Sequence, residues 1–288
     1  MSTLPLDPAV TLRRWQRSAG WVGLVLLVIL GLMALVPDWF APFDPTETVG
    51  PPLERPGPVF RLGTNDIGQD LLSELIWGTR ASLVTGLSVG VLAVVIALGF
   101  GLLGAISDHW PGRLAMRFAD LALVLPFFPL VLVLGAYVGG GRGAVITLLT
   151  AVLWAGPARV IRARALSILR ELFVDAAVLA GSSRWRILVH HVWPALREIV
   201  AVQVLFVASA AILAEAGLSF LGLGDPTQKS WGTMLFFAQA SGAALGDAWL
   251  WWVLPTGLLI TITVLSLVLI NYGLEPRFDP RNEWLPLD

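Results

Sequence analysis

The chain has 288 residues, of which 56% are hydrophobic and 14% charged. Soluble domains carry about 25% charged residues, so this composition is typical of a protein embedded in lipid. A net charge of −1 argues against a general nucleic-acid-binding protein, which needs a basic face. The absence of Cys excludes disulfides and thiolate chemistry. The single lysine, Lys229, does not follow the glycine pattern of a P-loop, so any ATP chemistry belongs to another chain.

Six charge-poor windows run along the sequence. A membrane helix needs roughly 20 apolar residues with few charges, and the windows are 18–37, 81–107, 121–141, 143–158, 199–214 (extending to 224) and 248–274. They predict an all-α integral membrane protein with about six transmembrane helices. Residues 139–143 are rich in glycine and predict a tight turn between the third and fourth spans. Pro126 and Pro129 predict a kink in the third span.

The basic residues are distributed unevenly between the loops. If the N-terminus is inside, 14 of the 19 Lys and Arg residues lie in cytoplasmic segments. The five in external segments are Arg55, Arg61, Arg80, Arg142 and Lys229. Because cytoplasmic loops carry the excess of positive charge, both termini are expected in the cytoplasm.

These spans predict one membrane domain with short cytoplasmic ends. The expected segments are an N-terminal segment 1–19, a transmembrane domain 20–275, external loops of about 38–80 and 219–247, a cytoplasmic loop of about 159–197 and a C-terminal tail 276–288.

Small residues at regular spacing occur in the second span. Residues 86–90 and 99–104 match short patterns of hydrolases and dinucleotide-binding proteins, but both lie on one apolar helix, without the strand that such sites need. Close packing of membrane helices is the preferred interpretation.

The loop 159–197 is longer and more regular than an ordinary cytoplasmic connection. A helical apolar face is formed by Ile161, Ala165, Ile168, Leu169 and Leu172. Gly181 is expected to interrupt this helix with a sharp turn. A second helix over 182–191 is expected to end before Pro194.

Several titratable residues suggest other functions. Asp120 and Glu215 are the carboxylates nearest to membrane depth, where an ionisable group is a functional-site hypothesis. Both lie near predicted span ends, which favours a structural or interfacial role, with a proton relay as the alternative. His190 and His191 are adjacent in sequence, which argues against a shared metal ion. Ser88 has no base at its depth, so no catalytic residue is predicted. No metal site is predicted either.

Several sequence blocks, in order and spacing, are similar to those of one family. They are 41–45 (Ala-Pro-Phe-Asp-Pro), 61–73, 78–83, 215–224, 230–235, 278–281 and, in the loop, Asp175-Ala176-Ala177 followed by Gly181 and Pro194. Together they resemble the second, C-type permease subunit of dipeptide, oligopeptide and nickel ABC importers, whose cytoplasmic loop carries the EAA motif. Four positions depart from the family pattern: Gln69, Asp175, His190 and Trp193 stand where Arg, Glu, Arg and Leu are usual.

The resemblance implies a permease subunit of an ATP-driven importer in a bacterial or archaeal plasma membrane. Di- or oligopeptides are the expected cargo, with nickel chelates or another small solute as the alternative and a stand-alone secondary transporter as a less favoured one. The implied partners are a homologous second permease, two ATP-binding subunits that hold ATP and Mg, an extracytoplasmic substrate-binding protein and the lipid bilayer. This chain itself is expected to hold no cofactor and to be no enzyme.

The resemblance also assigns roles to residues. Coupling to the ATPase is implied for Asp175, Ala176, Ala177, Gly181, Ser182, Arg184, Arg186 and Pro194. Weaker candidates for the pathway or an interface are Asp120, Pro126, Pro129 and Glu215.

Overall fold

A computed structural model describes residues 8–106 and 110–274. The helices are α1 (Pro8–Leu35), α2 (Pro37–Phe40), α3 (Leu71–Ile106), α4 (Trp110–Val124), α5 (Phe127–Val138), α6 (Arg142–Leu153), α7 (Ala155–Leu169), α8 (Leu172–Leu179), α9 (Arg184–Ile187), α10 (Trp193–Phe220), α11 (Trp231–Ala240) and α12 (Val253–Leu274). A π-helical turn, Leu188–Val192, joins α9 to α10, and a 3₁₀ turn, Asp247–Leu250, precedes α12. Within the described ranges the extended pairs are isolated bridges, and no sheet forms. His109, the tail 276–288 and its block 278–281 lie outside the described residues.

Four stretches are long and apolar enough to cross a membrane. They are Trp15–Leu35, Leu71–Ile106, Trp185–Phe220 and Asp247–Leu274. Two bent pairs, α4 with α5 and α6 with α7, raise the number to six if each pair is one span. The prediction of an all-helical membrane protein with about six spans is confirmed. The cytoplasmic placement of both termini stays a prediction.

The second span begins ten residues earlier than expected. Helix α3 starts at Leu71, so the loop predicted to end at residue 80 ends with a helical stretch. With 36 residues and a rise of about 1.5 Å per residue, α3 is about 54 Å long, against a hydrocarbon core of about 30 Å. The charges of Glu74 and Arg80 closed the apolar window used for the prediction, although a helix can continue beyond the lipid.

The third predicted span is broken rather than kinked. Helices α4 and α5 meet at 90°, and Pro126 is the N-cap of α5 with an extended ψ of 116°. A residue that precedes proline is disfavoured in the helical region, so α4 ends before this point. The expectation that Pro129 also bends the helix is wrong. Pro129 lies in the first turn of α5, where a backbone N–H would have no partner within the helix.

The glycine-rich turn between α5 and α6 is confirmed. Gly139 has φ 82° and Gly141 has φ 148°, values that favour glycine. Helix α6 begins directly afterwards, at Arg142.

The described residues fall into two compact units. The terminal unit comprises residues up to 84, 219–222 and those from 226 onward, and the central unit comprises 85–218 and 223–225. Helix α3 contributes residues 71–84 to the terminal unit and 85–106 to the central unit.

Helices α1 and α12 pack together in the terminal unit through small residues. A Cβ atom on Gly20 would lie 2.9 Å from the Cα of Gly273, and one on Gly23 would lie 2.5 Å from the carbonyl oxygen of Ser266. These separations leave no room for a side chain. Contact between helices at glycines lets two backbones approach closely, as in many membrane proteins.

A buried polar network in the terminal unit connects the sequence block 61–73 to Glu74 and Lys229. Lys229 donates to the Oε1 atoms of Glu74 and Gln69. Asn65 Nδ2 donates to the same two oxygens, each at 2.9 Å. The Gln69 side-chain amide donates to the carbonyl of Thr46 at 2.8 Å. The segment before α11 is therefore tied to the start of α3.

Trp231 reinforces this connection. It is fully buried, and its indole N–H donates to the carbonyl of Leu75 at 3.3 Å. Gly78 permits the approach, because a Cβ atom there would lie 3.1 Å from the Trp231 ring. Ser230 caps α11 through a reciprocal pair of hydrogen bonds with Thr233. The blocks 61–73, 78–83 and 230–235 therefore form one packed assembly.

The core of the central unit is formed where α3, α7 and α10 cross. A Cβ atom on Gly86 would lie 2.4 Å from Ile212, one on Gly90 would lie 2.8 Å from the carbonyl of Val204, and one on Gly101 would lie 2.8 Å from the carbonyl of Ala158. The small residues of α3 therefore serve helix packing, as the sequence indicated.

Candidate coupling surface

The long loop of the central unit begins with α7, whose inner face is mostly the predicted one. Ile161, Ala165 and Ile168 are buried. The prediction for Leu172 is wrong, because this side chain is 84% exposed. Helix α7 ends at Leu169 and a separate helix, α8, begins at Leu172, so the periodicity does not continue across the break.

Gly181 lies at the turn between α8 and α9. The Ser182 N–H donates to the carbonyl of Ala177 at 3.0 Å, and the Gly181 N–H donates to the carbonyl of Val178 at 2.9 Å. Gly181 has φ 80°, so the bonds and the left-handed residue together form a Schellman motif. Helix α9 then starts with a side-chain cap, since Ser183 Oγ accepts from the N–H of Arg186 at 3.3 Å.

The second helix of the loop differs from the prediction. It was expected over 182–191 with an end before Pro194, but the helical path is continuous over Trp185–Phe220 and Pro194 lies in the first turn of α10. The π turn Leu188–Val192 explains the difference. The Trp193 N–H donates to the carbonyl of Leu188, five residues back, and this wider hydrogen-bonding pattern leads into the proline without ending the helix.

The two short helices expose apolar side chains to an unusual degree. In α8 only Val174 is buried. The large exposed side chains are Leu172, Phe173, Val178, Leu179 and Trp185, with exposed fractions from 50% to 88%. We call these five residues, together with the exposed Asp175, the coupling surface. An exposed apolar cluster with a polar group in it is typical of a surface that binds another protein or a membrane.

The other residues assigned by resemblance lie in or beside this surface. Ala176 is exposed, Ala177 and Ser182 are half-buried, and Arg186 and Pro194 are exposed. The side chain of Arg184 is outside the part that the structure describes. The turn at Gly181 therefore brings the ends of α8 and α9 together, as a single protruding knob requires.

A cavity of about 420 Å³ lies beneath α8. Its lining includes Ala105 and Ile106 at the end of α3, Leu166 of α7, Val174 of α8 and Ile187 of α9. Asp175 and Arg170 also border it. The coupling surface and the last turn of a membrane-spanning helix therefore border the same cavity.

The two adjacent histidines have local contacts. His190 Nδ1 lies 3.2 Å from the carbonyl oxygen of Arg186, and the His191 ring is 5.8 Å from that of Phe173. Among the described residues no group of three or more His, Asp or Glu side chains is placed to hold a metal ion.

The four weaker candidates are not brought together. Pro126 lines an apolar cavity of about 430 Å³ where the bend between α4 and α5 meets the bend between α6 and α7. Asp120 lies 3.6 Å from Arg159 in an ion pair with both side chains more than half exposed. Glu215 is buried on α10. Neither carboxylate nor Pro129 lines this cavity.

Sequence reasoning missed Arg162, whose Nε donates to the carbonyl of Gly104 at 3.0 Å. The sequence analysis counted Arg162 only among the 14 cytoplasmic basic residues. The available signal was a glycine in the last turn of α3, because a backbone that another helix approaches closely favours glycine.

The apolar helices, long enough for four to six membrane spans, define a multi-pass membrane protein. A similar fold occurs in a chain of the MetNI methionine ABC transporter solved in inward-facing conformations, with a TM-score of 0.55 over 70% of this chain and 97% of that one, at 16% identity.

Family comparisons give the identity more closely. Residues 97–283 match the binding-protein-dependent transport system inner membrane component, and residues 13–56 match the N-terminal transmembrane domain of oligopeptide transport permease C. The chain belongs to this family of inner-membrane permeases, which confirms the predicted resemblance. It is a transport subunit rather than an enzyme, and membership implies an ATPase and a binding protein as partners.

Two relatives extend the similarity over nearly the whole chain. The di/tripeptide transport system permease protein DppC of Pseudomonas aeruginosa is 36% identical, over 90% of this chain and 87% of its own. A Brucella suis permease whose name assigns it provisionally to a peptide transport system is 37% identical, over 98% and 95%.

Proposed function

We propose that this chain is the C-type permease subunit of an ATP-driven importer of di- or oligopeptides. The observation that carries the proposal is similarity to peptide permeases over nearly the full length, including the N-terminal oligopeptide-permease segment. Cargo selection would rest largely with the external binding protein, as the resemblance implies.

The proposed assembly pairs this chain with a homologous second permease above two ATP-binding subunits. The chain has no P-loop, so ATP and Mg would be held by those subunits. The coupling surface supports their docking, because its five large apolar side chains would leave water on contact. Burial of one Leu or Phe side chain stabilises such an interface by about 1.5–3 kcal/mol.

The proposed mechanism depends on the rigid turn between α8 and α9. ATP binding closes the ATPase dimer, and the knob around Gly181 moves with the ATPase surface on which it rests. Each nucleotide state then favours one membrane conformation by differential binding, which is the requirement for alternating access. Asp175, Ala176, Ala177 and Ser182 would form the docking contacts, and Arg184 and Arg186 would supply positive charge to the ATPase. Pro194 lies where the knob continues into α10.

The proposed translocation route follows the broken helices. The cavity at Pro126 is lined mainly by apolar side chains, including Leu125, Phe127 and Phe206, and discontinuous helices in membrane proteins are tolerated beside protein or a cavity. Asp120, Pro129 and Glu215 do not line this cavity and stay candidates for the pathway or an interface.

Reconstitution of the complete complex in liposomes tests this function. Uptake of a radiolabelled dipeptide should require ATP, the binding protein and an intact ATPase P-loop. Uptake of a nickel chelate but of no peptide would overturn the proposed cargo and leave the proposal of an ATP-driven importer intact. Uptake driven by an ion gradient without ATP would overturn the proposal of an ATP-driven importer.

A further inference from the structure

Three helices of the central unit meet at Gly104, in the last turn of α3. A Cβ atom on Gly104 would lie 2.9 Å from Met116 Cγ of α4 and 3.1 Å from Arg162 Cδ of α7. The absence of a side chain therefore lets Arg162 lie directly on the backbone of α3. Met116 is buried and Arg162 is half-buried.

The bond from Arg162 to Gly104 meets a requirement of the helix end. The last four carbonyls of a helix have no partner within it, and Gly104 O is one of these four, because α3 ends at Ile106. A cation is favoured at this negative end of the helix dipole. The N–H of a charged guanidinium also makes a stronger hydrogen bond than a neutral donor.

The same end of α3 borders the cavity beneath α8. Ala105 and Ile106 line the cavity beneath α8 together with Val174, the buried residue of α8. Leu166 and Leu169 of α7 line it too. Helix α7, which carries Arg162, therefore contacts both the coupling helix and the end of α3.

We propose that Arg162 is a positioning residue for transport, which joins the end of α3 to the coupling loop so that displacement of α8 moves α3. The inference rests on the proposed function and adds a residue through which the knob acts on a membrane span. The bond is a fixed link between two packed helices, so α8, α7 and the end of α3 move as one body.

Variants of Arg162 in the reconstituted complex test this role by the number of substrate molecules moved per ATP hydrolysed. Arg162→Gln should lower that ratio by about tenfold, because the charge-assisted bond is lost, while ATP hydrolysis and co-purification of the ATPase persist. Arg162→Lys keeps a charged donor and should recover most of the ratio. Arg197→Gln is the matched control. Arg197 is an exposed arginine of α10 that takes no part in the contact between Arg162 and Gly104, so this variant should keep the original ratio.

A distance measurement in the protein with Arg162 intact gives a test that does not depend on whether the Arg162 variants assemble. The chain has no Cys, so spin labels at Leu103→Cys and Ala180→Cys, both exposed positions, report α3 against α8 when the partner subunits are cysteine-free. With Arg162 present, the label separation should be the same without nucleotide and with ATP trapped. A separation that changes with ATP, or a normal transport ratio in Arg162→Gln, would overturn the proposal. Absence of ATP-dependent uptake in the unmodified complex would instead overturn the proposed function.

Discussion

Lys229, the single lysine of the chain, forms an ion pair with Glu74 inside the terminal unit. The Glu74 side chain is 2% exposed and that of Lys229 is 18% exposed. Asn65 and Gln69 complete the hydrogen bonding around the pair. The sequence reading counted Lys229 only as an external positive charge, whereas its ammonium group links the start of α11 to the start of α3.

Removal of one partner of this pair should destabilise the protein strongly. Lys229→Met leaves the Glu74 carboxylate buried without its cation, which costs about 3–5 kcal/mol. The double variant Lys229→Met/Glu74→Met removes both charges and should recover much of the loss. Thermal unfolding in detergent measures both variants.

An exposed ion pair of the same unit provides the control. Arg55 and Asp247 lie 2.7 Å apart with side chains about three-quarters exposed. Arg55→Met should change stability by at most about 1 kcal/mol. Equal losses for Lys229→Met and Arg55→Met would contradict the structural role of the buried pair.

The contact between α1 and α12 predicts a second difference. Gly20→Val should destabilise the protein, because its Cβ would lie 2.9 Å from the backbone of Gly273. Gly31→Val on the same helix should be tolerated, since among the described residues no atom outside its own stretch of helix lies within 4 Å of its Cβ position. Yield and thermal stability in detergent compare the two variants, and similar values for both would argue against this packing.

Gly181 predicts a functional loss with little change in packing. Within the described chain no atom beyond the chain neighbours lies within 4 Å of a Cβ at this position, but φ is 80°, where an L-residue costs about 1–2 kcal/mol. Gly181→Glu should therefore uncouple transport from ATP hydrolysis while the protein stays in the membrane. Gly181→Asn should keep more activity, because Asn adopts this conformation readily. Normal uptake by the Glu variant would refute the role of the turn.

The coupling surface predicts that a substitution on it lowers the affinity for the ATPase. Leu179 is 88% exposed, and Leu179→Asp should weaken binding of the ATPase about tenfold to hundredfold, by loss of one buried apolar side chain. Leu245→Asp is the matched control, with 89% exposure on the predicted external side. Titration of purified ATPase onto the detergent-solubilised pair of permeases measures the affinity of both variants. A loss of binding in the Leu245 variant as large as that in the Leu179 variant would contradict the assignment.

Local chemistry explains which features the sequence could predict. The glycine turn at 139–143 and the sharp turn at Gly181 depend on residues next to each other in the chain, and both occur where expected. The break at Pro126 was located correctly, but the 90° angle depends on how α4 and α5 pack. Pro194 was misread because a π turn changes the hydrogen-bonding pattern before it.

Long-range contacts could not be predicted from the pattern. The pairing of Lys229 with Glu74 joins positions 155 residues apart, and the bond from Arg162 to Gly104 joins positions 58 residues apart. The sequence analysis used Lys229 and Arg162 only as loop charges, because a pattern of single residues does not show which backbone or carboxylate another helix brings close. The motif blocks indicated that several segments matter, but not that 78–83 and 230–235 pack together.

Affinity purification of the tagged chain from its native membrane, followed by mass identification of the bound proteins, tests the central claim most directly. We expect a homologous second permease and P-loop ATPases to be recovered with it, in a complex that takes up peptides only with ATP. Recovery of the chain alone, active in sealed vesicles without ATP, would contradict the account and make Asp120 and Glu215 candidates for ion coupling.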